Sequence, residues 1–540
     1  MKSSRLFRVL VLPGLLLLAT GLGLGCYYET NDDLAITQLL CGASAAAPVT
    51  DLHLYFHGLA RVLATLYQVA PMWPWYGLLL YGLLYVATVS AFTILDKLLH
   101  ERVPAAGLNL GLVVFFTLTW LEHSLWFNYV RVPILLSGMG LLLAAQHARR
   151  KQVVGLGLLM AALAWAVRPS AAALGLLAAA PGAWWLGGKP ALRVLAAASA
   201  TIVLASLGLL LTSSPEAAAY RTLDVLKSNR NDYQLYRTAP HTAVDSLGLQ
   251  AVDHWLLGDS VLVNDALFQR AAQFDVGYFL QREAFGKLCT TLSLLTRDYF
   301  PLLLGQLALF WLVRRRPGQR LFWLVQLAYG LLVLGLGVWL KLPPRLGLPL
   351  MNLWLLSNLA YVLTTPFLKV PPYGWRMLGL GVVLLLALYS YKTLHRVQIL
   401  RREQAAHEAY LGEVQRFAAG RLIVTANLEV AYKSLSPFKV YNVSRRPTLS
   451  LTGWPTLDPS NAVLRQQLTG TRDLPLALQC LASQPDVVWL LTPPMARFLT
   501  SYLAATTSAA NLSWRLQVGE PLSADTLLPR PYQIDVEPMK

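Results

Sequence analysis

Residues 7–26 read FRVLVLPGLLLLATGLGLGC, and residues 27–33 continue as YYETNDD. An apolar run of that length, with its one charge, Arg8, next to its start, fits one bilayer crossing, which takes about 20 residues. Lys2, Arg5 and Arg8 sit on its N-terminal side, as in a signal peptide. No small-x-small cleavage site follows and further apolar runs do, so the run is read as an uncleaved first helix with its N-terminus inside. Glu29, Asp32 and Asp33 then place three acids just past its far end.

The same pattern recurs outward along the chain. Further apolar runs lie at about 74–95, 106–121, 124–146, 153–167, 170–187, 192–212, 298–313, 321–340, 346–366 and 377–391. With the first run they predict a polytopic α-helical membrane protein of about 11 transmembrane helices. Composition agrees: 55% of the 540 residues are apolar, 14% are charged, and the mean hydropathy is +0.48. These values exclude an ordinary cytosolic enzyme, a disordered tail and a small disulfide scaffold.

Lys+Arg 45 less Asp+Glu 28 gives a net charge of +17. In a soluble protein this would point to nucleic acid; here it is read as cytoplasmic loop charge, with no nucleic-acid partner. The proposed inner segments carry Lys2, Arg5, Arg8, Lys97, Arg102, Arg149–Lys151, Lys189, Arg193, Arg314–Arg316, Arg320, Lys369 and Arg376. The short outer segments carry Arg61, Arg168, Lys341 and Arg345. Arg168-Pro169 interrupts the apolar stretch 153–187 with basic clusters on both flanks. A tight hairpin of two helices is expected there rather than one kinked helix. Lys392, Arg396, Arg401 and Arg402 run against the scheme, since they follow a span whose end is placed outside.

The transmembrane domain is assigned to 1–391, with outer loops 27–73 and 213–297, and a small C-terminal α/β soluble domain to 392–540. In the first loop, 52–69 (LHLYFHGLARVLATLYQV) reads as an interfacial amphipathic helix. In the C-terminal block a polar helix is expected at about 397–418. The runs RLIVTANL, PDVVWLLTP, WRLQVGE and PYQIDVEP are expected as strands. Cys26, Cys41, Cys289 and Cys480 show no metal-ligand spacing; Cys26 and Cys41 are close enough in sequence to pair. Asn442-Val443-Ser444 and Asn511-Leu512-Ser513 match the glycosylation acceptor triplet.

Carboxylates beside lipid are costly unless solvated, paired or used. Asp32 and Asp33, with Glu29 nearby, are therefore candidate reactive acids. The alternatives are an N-cap for the helix that starts there, or a solvated loop. Glu122-His123, in an expected outer turn, offers a second acid and a histidine, or a solvated turn. Arg168, Arg345 and Arg131 (the last in FNYVRVPILL) are candidate phosphate ligands, because a guanidinium binds phosphate in forked geometry and stays charged near lipid. Their alternatives are snorkelling or pairing with Asp32, Asp33 or Glu122. His53 and His57, one turn apart on the expected helix, read as a metal pair or as its polar face. His241, Asp245, Asp253 and His254 form no recognisable spacing.

A first span followed at once by Asn31-Asp32-Asp33, an amphipathic segment, some ten further spans and a soluble C-terminal block resembles the GT-C superfamily of membrane glycosyltransferases. Protein O-mannosyltransferases, bacterial aminoarabinose transferases and oligosaccharyltransferases belong to it. Arg168-Pro169 and Arg345, ahead of GLPLMNLWLL, also carry the resemblance; the oligosaccharyltransferase signature WWD is absent. The resemblance implies inverting transfer of a sugar from a polyprenyl-phosphate donor to a lipid, glycan or protein acceptor on the outer face of a bacterial inner membrane. It implies Asp32 or Asp33 as general base, helped by Glu122, and Arg131, Arg168 and Arg345 on the leaving phosphate. Glu29, His53, His57 and His123 would be acceptor or loop residues, and a divalent cation (Mg or Mn) is compatible with the paired acids. The competing readings are a transporter or flippase of lipid-linked saccharide, an O-antigen-ligase-type enzyme leaning on His241 or His254, and a membrane scaffold.

Overall fold

The computed structural model describes residues 2–314, 319–364, 372–441, 446–507 and 512–538. Arg315, Arg316, Lys369, the Asn442 triplet and Asn511 lie outside the described residues. The chain is mostly helical and divides into two compact units. One unit comprises 1–29, 76–212 and 285–401; the other comprises 30–75, 213–284 and 402–540.

The first unit is a helical bundle. Its apolar helices are α1 (Ser4–Gly23), α2 (Trp75–Leu99), α3 (Ala105–Leu125), α4 (Arg131–Gln146), α5 (Lys151–Val167), α6 (Pro169–Gly187), α7 (Lys189–Thr212), α8 (Phe300–Val313), α9 (Arg320–Trp339), α10 (Pro344–Thr364) and α11 (Pro372–Ala418). Among the described residues eight are long and apolar enough to cross a membrane; α4, α5 and α8 are shorter, at 16, 17 and 14 residues. Leu204, Leu207 and Leu211 on α7, and Leu324, Leu327 and Leu331 on α9, are exposed at i, i+3, i+7 spacing. Such apolar stripes suit hydrocarbon rather than water. These features are those of a polytopic helical membrane protein.

Small residues set the packing around α4. A side chain at Gly157 of α5 would run into the Gly140 carbonyl and the Ala144 methyl, and one at Gly175 of α6 into Ser137 and the Ile134 carbonyl. Such close backbone approach is the usual way helices associate in lipid. The order of contacts gives direction. On α5, Gly157 meets Ala144 and Gly140, and the later Met160 meets Gly140, so α5 runs antiparallel to α4. On α6, Gly175, Gly182 and Gly187 meet Ile134, Leu142 and Ala145 in turn, so α6 runs parallel to α4. The chain therefore reverses at Arg168-Pro169 in a hairpin. Proline forces the preceding residue out of the helical region, and Arg168 is extended at φ −158°. Pro169 then opens α6, where its missing N–H costs nothing.

Polar side chains clamp the bundle from within. Asn358 of α10 donates to Gln306 of α8 (2.6 Å), and Gln326 of α9 donates to Asn358 (2.9 Å). Arg8 of α1 donates to the buried Asp96 of α2 (2.7 Å), and Arg5 lies 3.1 Å from the same carboxylate. The strands β1 (Tyr27–Tyr28) and β2 (Trp126–Phe127) form a short parallel pair beyond α1 and α3.

Three expected boundaries move. The α3 helix continues through Leu125, so Glu122-His123 occupy its last turn rather than a loop, and Arg131 opens α4 instead of lying inside a span. The polar helix expected at 397–418 is the continuation of the last span. Residues 382–411 contain neither Gly nor Pro, nothing breaks the helix, and α11 runs 47 residues.

The second unit is built on a mixed sheet. The antiparallel pair β3 (Tyr236–Thr238) and β4 (Ala272–Phe274) stands apart from it. The five-stranded sheet comprises β5 (Leu422–Thr425), β6 (Leu449–Ser450), β7 (Val487–Leu491), β8 (Leu512–Val518) and β9 (Arg530–Pro538), in the order β6-β5-β7-β9-β8. β5 pairs parallel with β6 and β7, and β9 antiparallel with β7 and β8. Four of these strands fall on the four runs expected from sequence; the two-residue β6 is too short to carry a pattern. Leu256, Leu267 and Phe268 from the second loop share one core with Val424, Trp489, Leu491 and Tyr502. That loop is thus part of this unit's core.

The segment 52–69 is helical only from Leu59, in the helix Leu59–Val69. His53 and Phe56 adopt left-handed backbone (φ 53° and 54°), as does Gly58 at the helix start (φ 75°). Left-handed residues end helical propagation, so His53 and His57 are not an i, i+4 pair. All four cysteines are free thiols.

Candidate functional site

In the bundle, charge collects where helix ends meet. Arg131, the first residue of α4 and 1% exposed, donates through Nε (2.9 Å) and Nη2 (2.7 Å) to one carboxylate oxygen of Glu29. The other oxygen of Glu29, itself 5% exposed, accepts the backbone N–H of Arg345 at the start of α10 (3.1 Å). A carboxylate suits that place, since the first-turn amides of a helix are unpaired and carry partial positive charge. Arg131 was expected as a phosphate ligand; its guanidinium is engaged by Glu29, an acid not among the partners considered for it.

Arg168 sits at the turn between α5 and α6 and donates to the hydroxyl of Tyr129 (2.7 Å). Tyr129 lies two residues before Arg131, so Arg168 is tied through the backbone to the start of α4, where Arg131 holds Glu29 and Glu29 holds the Arg345 amide. Arg168 and Arg345 are both half-buried. Both stand at helix N-termini, whose amides and dipoles favour anions.

A second group of charges adjoins the first. Arg131 also approaches the backbone carbonyl of Glu122 (3.4 Å). The Glu122 carboxylate meets Arg396 (3.1 Å) and Lys392 (3.4 Å), and Asp298 meets Arg396 (2.9 Å) and Lys392 (3.7 Å). Trp126 lies between cations, with Arg131 at 5.6 Å and Arg396 at 4.7 Å from its ring. Glu122, expected as an accessible acid, is buried and ion-paired. His123 is buried beside Asn352, whose Nδ2 is 2.6 Å from its Nε2. Sequence reasoning missed Asp298, and it met Lys392 and Arg396 only as charges out of place. They are four residues apart on α11, so both reach the same acids.

In the second unit Asp32 and Asp33 open the helix Asp32–Leu40. Asp33 is wholly buried and Asp32 half-buried. Asp32 accepts the indole N–H of Trp454 on Oδ1 (3.1 Å) and the Thr30 hydroxyl on Oδ2 (3.3 Å). Neither donor is charged. Among Glu29, Asp32, Asp33 and Glu122, Asp32 therefore combines reachability with fixed orientation.

The loop ahead of Leu59 contributes its own charges to this unit. Tyr55 packs edge-on against Trp454 at 5.6 Å. His53 lies 3.4 Å from Asp51; this bond holds the Asp51 carboxyl down to about 2 and raises the His53 imidazole. Burial pushes His57 the other way. Asp458 caps the helix Pro459–Thr469 through one oxygen; the other is buried without a hydrogen bond, and burial raises its pKa.

Elsewhere in this unit, His254 stacks on Phe498, Asp253 pairs with Arg230, and Asp245 pairs with Arg270, so three of the four residues without a spacing have packing or ion-pair roles. Among the described residues no three His, Cys, Asp or Glu side chains gather as a metal site. In comparison with known proteins, the chain matches no family, no curated protein and no solved structure.

Proposed function

We propose that the protein is a membrane glycosyltransferase of the GT-C kind, moving a sugar from a polyprenyl-phosphate donor to an acceptor hydroxyl at the outer face of a bacterial inner membrane. In this reading all eleven apolar helices cross the bilayer, the N-terminus is cytoplasmic, and the second unit is the extracytoplasmic soluble part. The observation that carries the reading is the linkage of Arg168, Tyr129, Arg131, Glu29 and the α10 N-terminus. The Arg168 guanidinium stands at one end of that linkage and the backbone N–H of Arg345 at the other. Arg131 locks Glu29 and so fixes the start of α10.

In the reaction the acceptor oxygen attacks the anomeric carbon, and the bond from that carbon to the phosphate oxygen breaks with inversion. Asp32 takes the acceptor's proton, and polyprenyl phosphate leaves with the bonding electrons. Arg168 and Arg345 offset the charge growing on the leaving phosphate. A lipid-carried donor suits an outer-face enzyme because nucleotide sugars are cytoplasmic. A divalent cation, if bound, would add charge stabilisation near the acids; none of these steps runs through it.

Three of the four basic residues that follow the last span have partners. Lys392 and Arg396 are matched by Glu122 and Asp298, and Arg401 donates to the Gly23 carbonyl (2.7 Å). The positive-inside bias concerns loop charges, and Lys392 and Arg396 are half-buried and ion-paired within the bundle.

The test uses the purified full-length protein with undecaprenyl-phosphate-linked mannose, glucose, galactose and aminoarabinose, measuring free undecaprenyl phosphate. Turnover of at least one donor is expected, with Asp32→Asn lowering it roughly 10²–10⁴-fold. No bond cleavage with any of the four, together with movement of intact donor across a vesicle membrane, would establish the transporter reading instead.

A further inference from the structure

Asp32 lies in the second unit's N-terminal segment, yet its Oδ1 takes a hydrogen bond from a residue more than 400 positions later. We propose that Trp454 is a positioning residue that fixes the carboxylate plane of Asp32 through its indole N–H. This rests on the reading of Asp32 as the general base.

The geometry is built from several directions. The Trp454 Nε1–Oδ1 distance is 3.1 Å, and the Thr30 hydroxyl holds Oδ2 at 3.3 Å, so each oxygen has one donor. The carboxylate cannot turn about its last torsion without losing both bonds. The remaining lone pairs keep one direction, as a base waiting for an acceptor hydroxyl requires.

The indole is itself held in place. It is 9% exposed, with the edge of the Tyr55 ring against it at 87°. It opens the short 3₁₀ turn Trp454–Leu457, which runs into Asp458, the cap of the next helix. Gly453 supplies a left-handed backbone (φ 90°) just before it, and the Gly453 N–H bonds the Trp255 carbonyl (2.9 Å). A backbone turned this way is reached at little cost only by glycine.

An uncharged donor also fits the chemistry. A lysine or arginine at this place would stabilise the carboxylate so strongly that its power to accept a proton would fall. The indole N–H donates, never accepts, and is far too weak an acid to give its proton to a carboxylate. The C-terminal block, in which the sequence shows no catalytic motif, thereby acquires a part in the reaction.

The experiment replaces Trp454 in the full-length protein with 3-benzothienylalanine, which keeps the ring shape and loses the N–H, and with 5-fluorotryptophan, which keeps both. Turnover is measured with the undecaprenyl-phosphate-linked sugar that the wild type consumes fastest, next to Asp32→Asn. The benzothienyl variant should lose roughly ten- to a hundredfold in kcat. Its KM for the donor should stay within about twofold, because the lost bond touches no part of the donor. The fluorinated variant should keep wild-type kcat. Wild-type kcat in the benzothienyl variant, with Asp32→Asn inactive, would overturn the role of Trp454 and leave the base in place. Equal losses in both tryptophan analogues, or a lowered thermal midpoint in the benzothienyl variant, would make Trp454 a packing residue and overturn it as well. Activity in Asp32→Asn would overturn the base itself.

Discussion

Arg131 gives two hydrogen bonds to a single oxygen of Glu29, at 2.9 and 2.7 Å, and leaves the other oxygen to the Arg345 amide. The pair joins the segment after α1 to the starts of α4 and α10, three elements more than 300 residues apart at their extremes.

Both members of that pair are buried, so removing one strands the other. Breaking a buried ion pair from one side costs about 3–5 kcal/mol. Glu29→Ala and Arg131→Ala should each lower the thermal midpoint of the detergent-purified protein by several degrees. The double variant Glu29→Gln/Arg131→Met should lose less than either single change. A double variant as unstable as the sum of the two would show that the residues act separately.

Arg168 and Arg345 carry the phosphate in the proposed reaction. A charge-assisted hydrogen bond is worth about 1.5–3 kcal/mol. Arg345→Ala should therefore lower kcat/KM about ten- to a hundredfold, with lysine restoring part of it because the charge returns without the fork. Steady-state kinetics on the lipid-linked donor decide the matter. Wild-type kcat/KM in both Arg168→Ala and Arg345→Ala would remove the phosphate role.

His53 and Asp51 shift each other in opposite directions, and the signs define a pH window. The raised imidazole contributes stability that is complete below about 6.5 and lost as pH rises through its folded value. The lowered carboxyl, held at about 2, contributes stability that is complete above about 3.8 and lost as pH falls toward 2. The thermal midpoint associated with the second unit should thus fall slightly between pH 6 and 8. His53→Gln should flatten that slope. Because the Asp51 side chain is largely exposed, solvent screening keeps the change small. A wild-type midpoint with the same pH slope as the variant would refute the pairing.

Gly157 and Gly175 permit the tight contact of α5 and α6 with α4. Gly157→Leu has no space, because the Gly140 carbonyl and Ala144 already fill it. Expression of folded protein, read as a monodisperse peak in detergent, should fall sharply for Gly157→Leu. It should be retained for Gly155→Leu, whose position opens onto free space. Equal yields would mean that the hairpin tolerates separation.

The bundle was largely written in the sequence because lipid demands long apolar runs, which a linear reading detects. The reversal at Arg168-Pro169 was legible for a local reason as well, since proline acts on its immediate neighbour. The last span and the polar helix behind it were read as separate because polarity changes, yet backbone propagation depends on Gly and Pro rather than on polarity. The helix expected from residue 52 failed for the opposite reason: left-handed backbone at His53 and Phe56 is imposed by the surrounding structure and leaves no mark in residue type.

The site was legible only in fragments. Glu29, Arg131, Arg168 and Arg345 drew notice as charges near lipid. Their mutual arrangement depends on contacts spanning up to 316 positions, which no spacing encodes. Trp454 bore no signal at all, because one indole among sixteen becomes a hydrogen-bond donor to Asp32 only once the chain has folded.

The single-residue link between α5 and α6 constrains how the protein is made. With no loop between them, the two helices of the proposed topology would insert as one hairpin, and Arg168 would reach the outer side flanked by both of them.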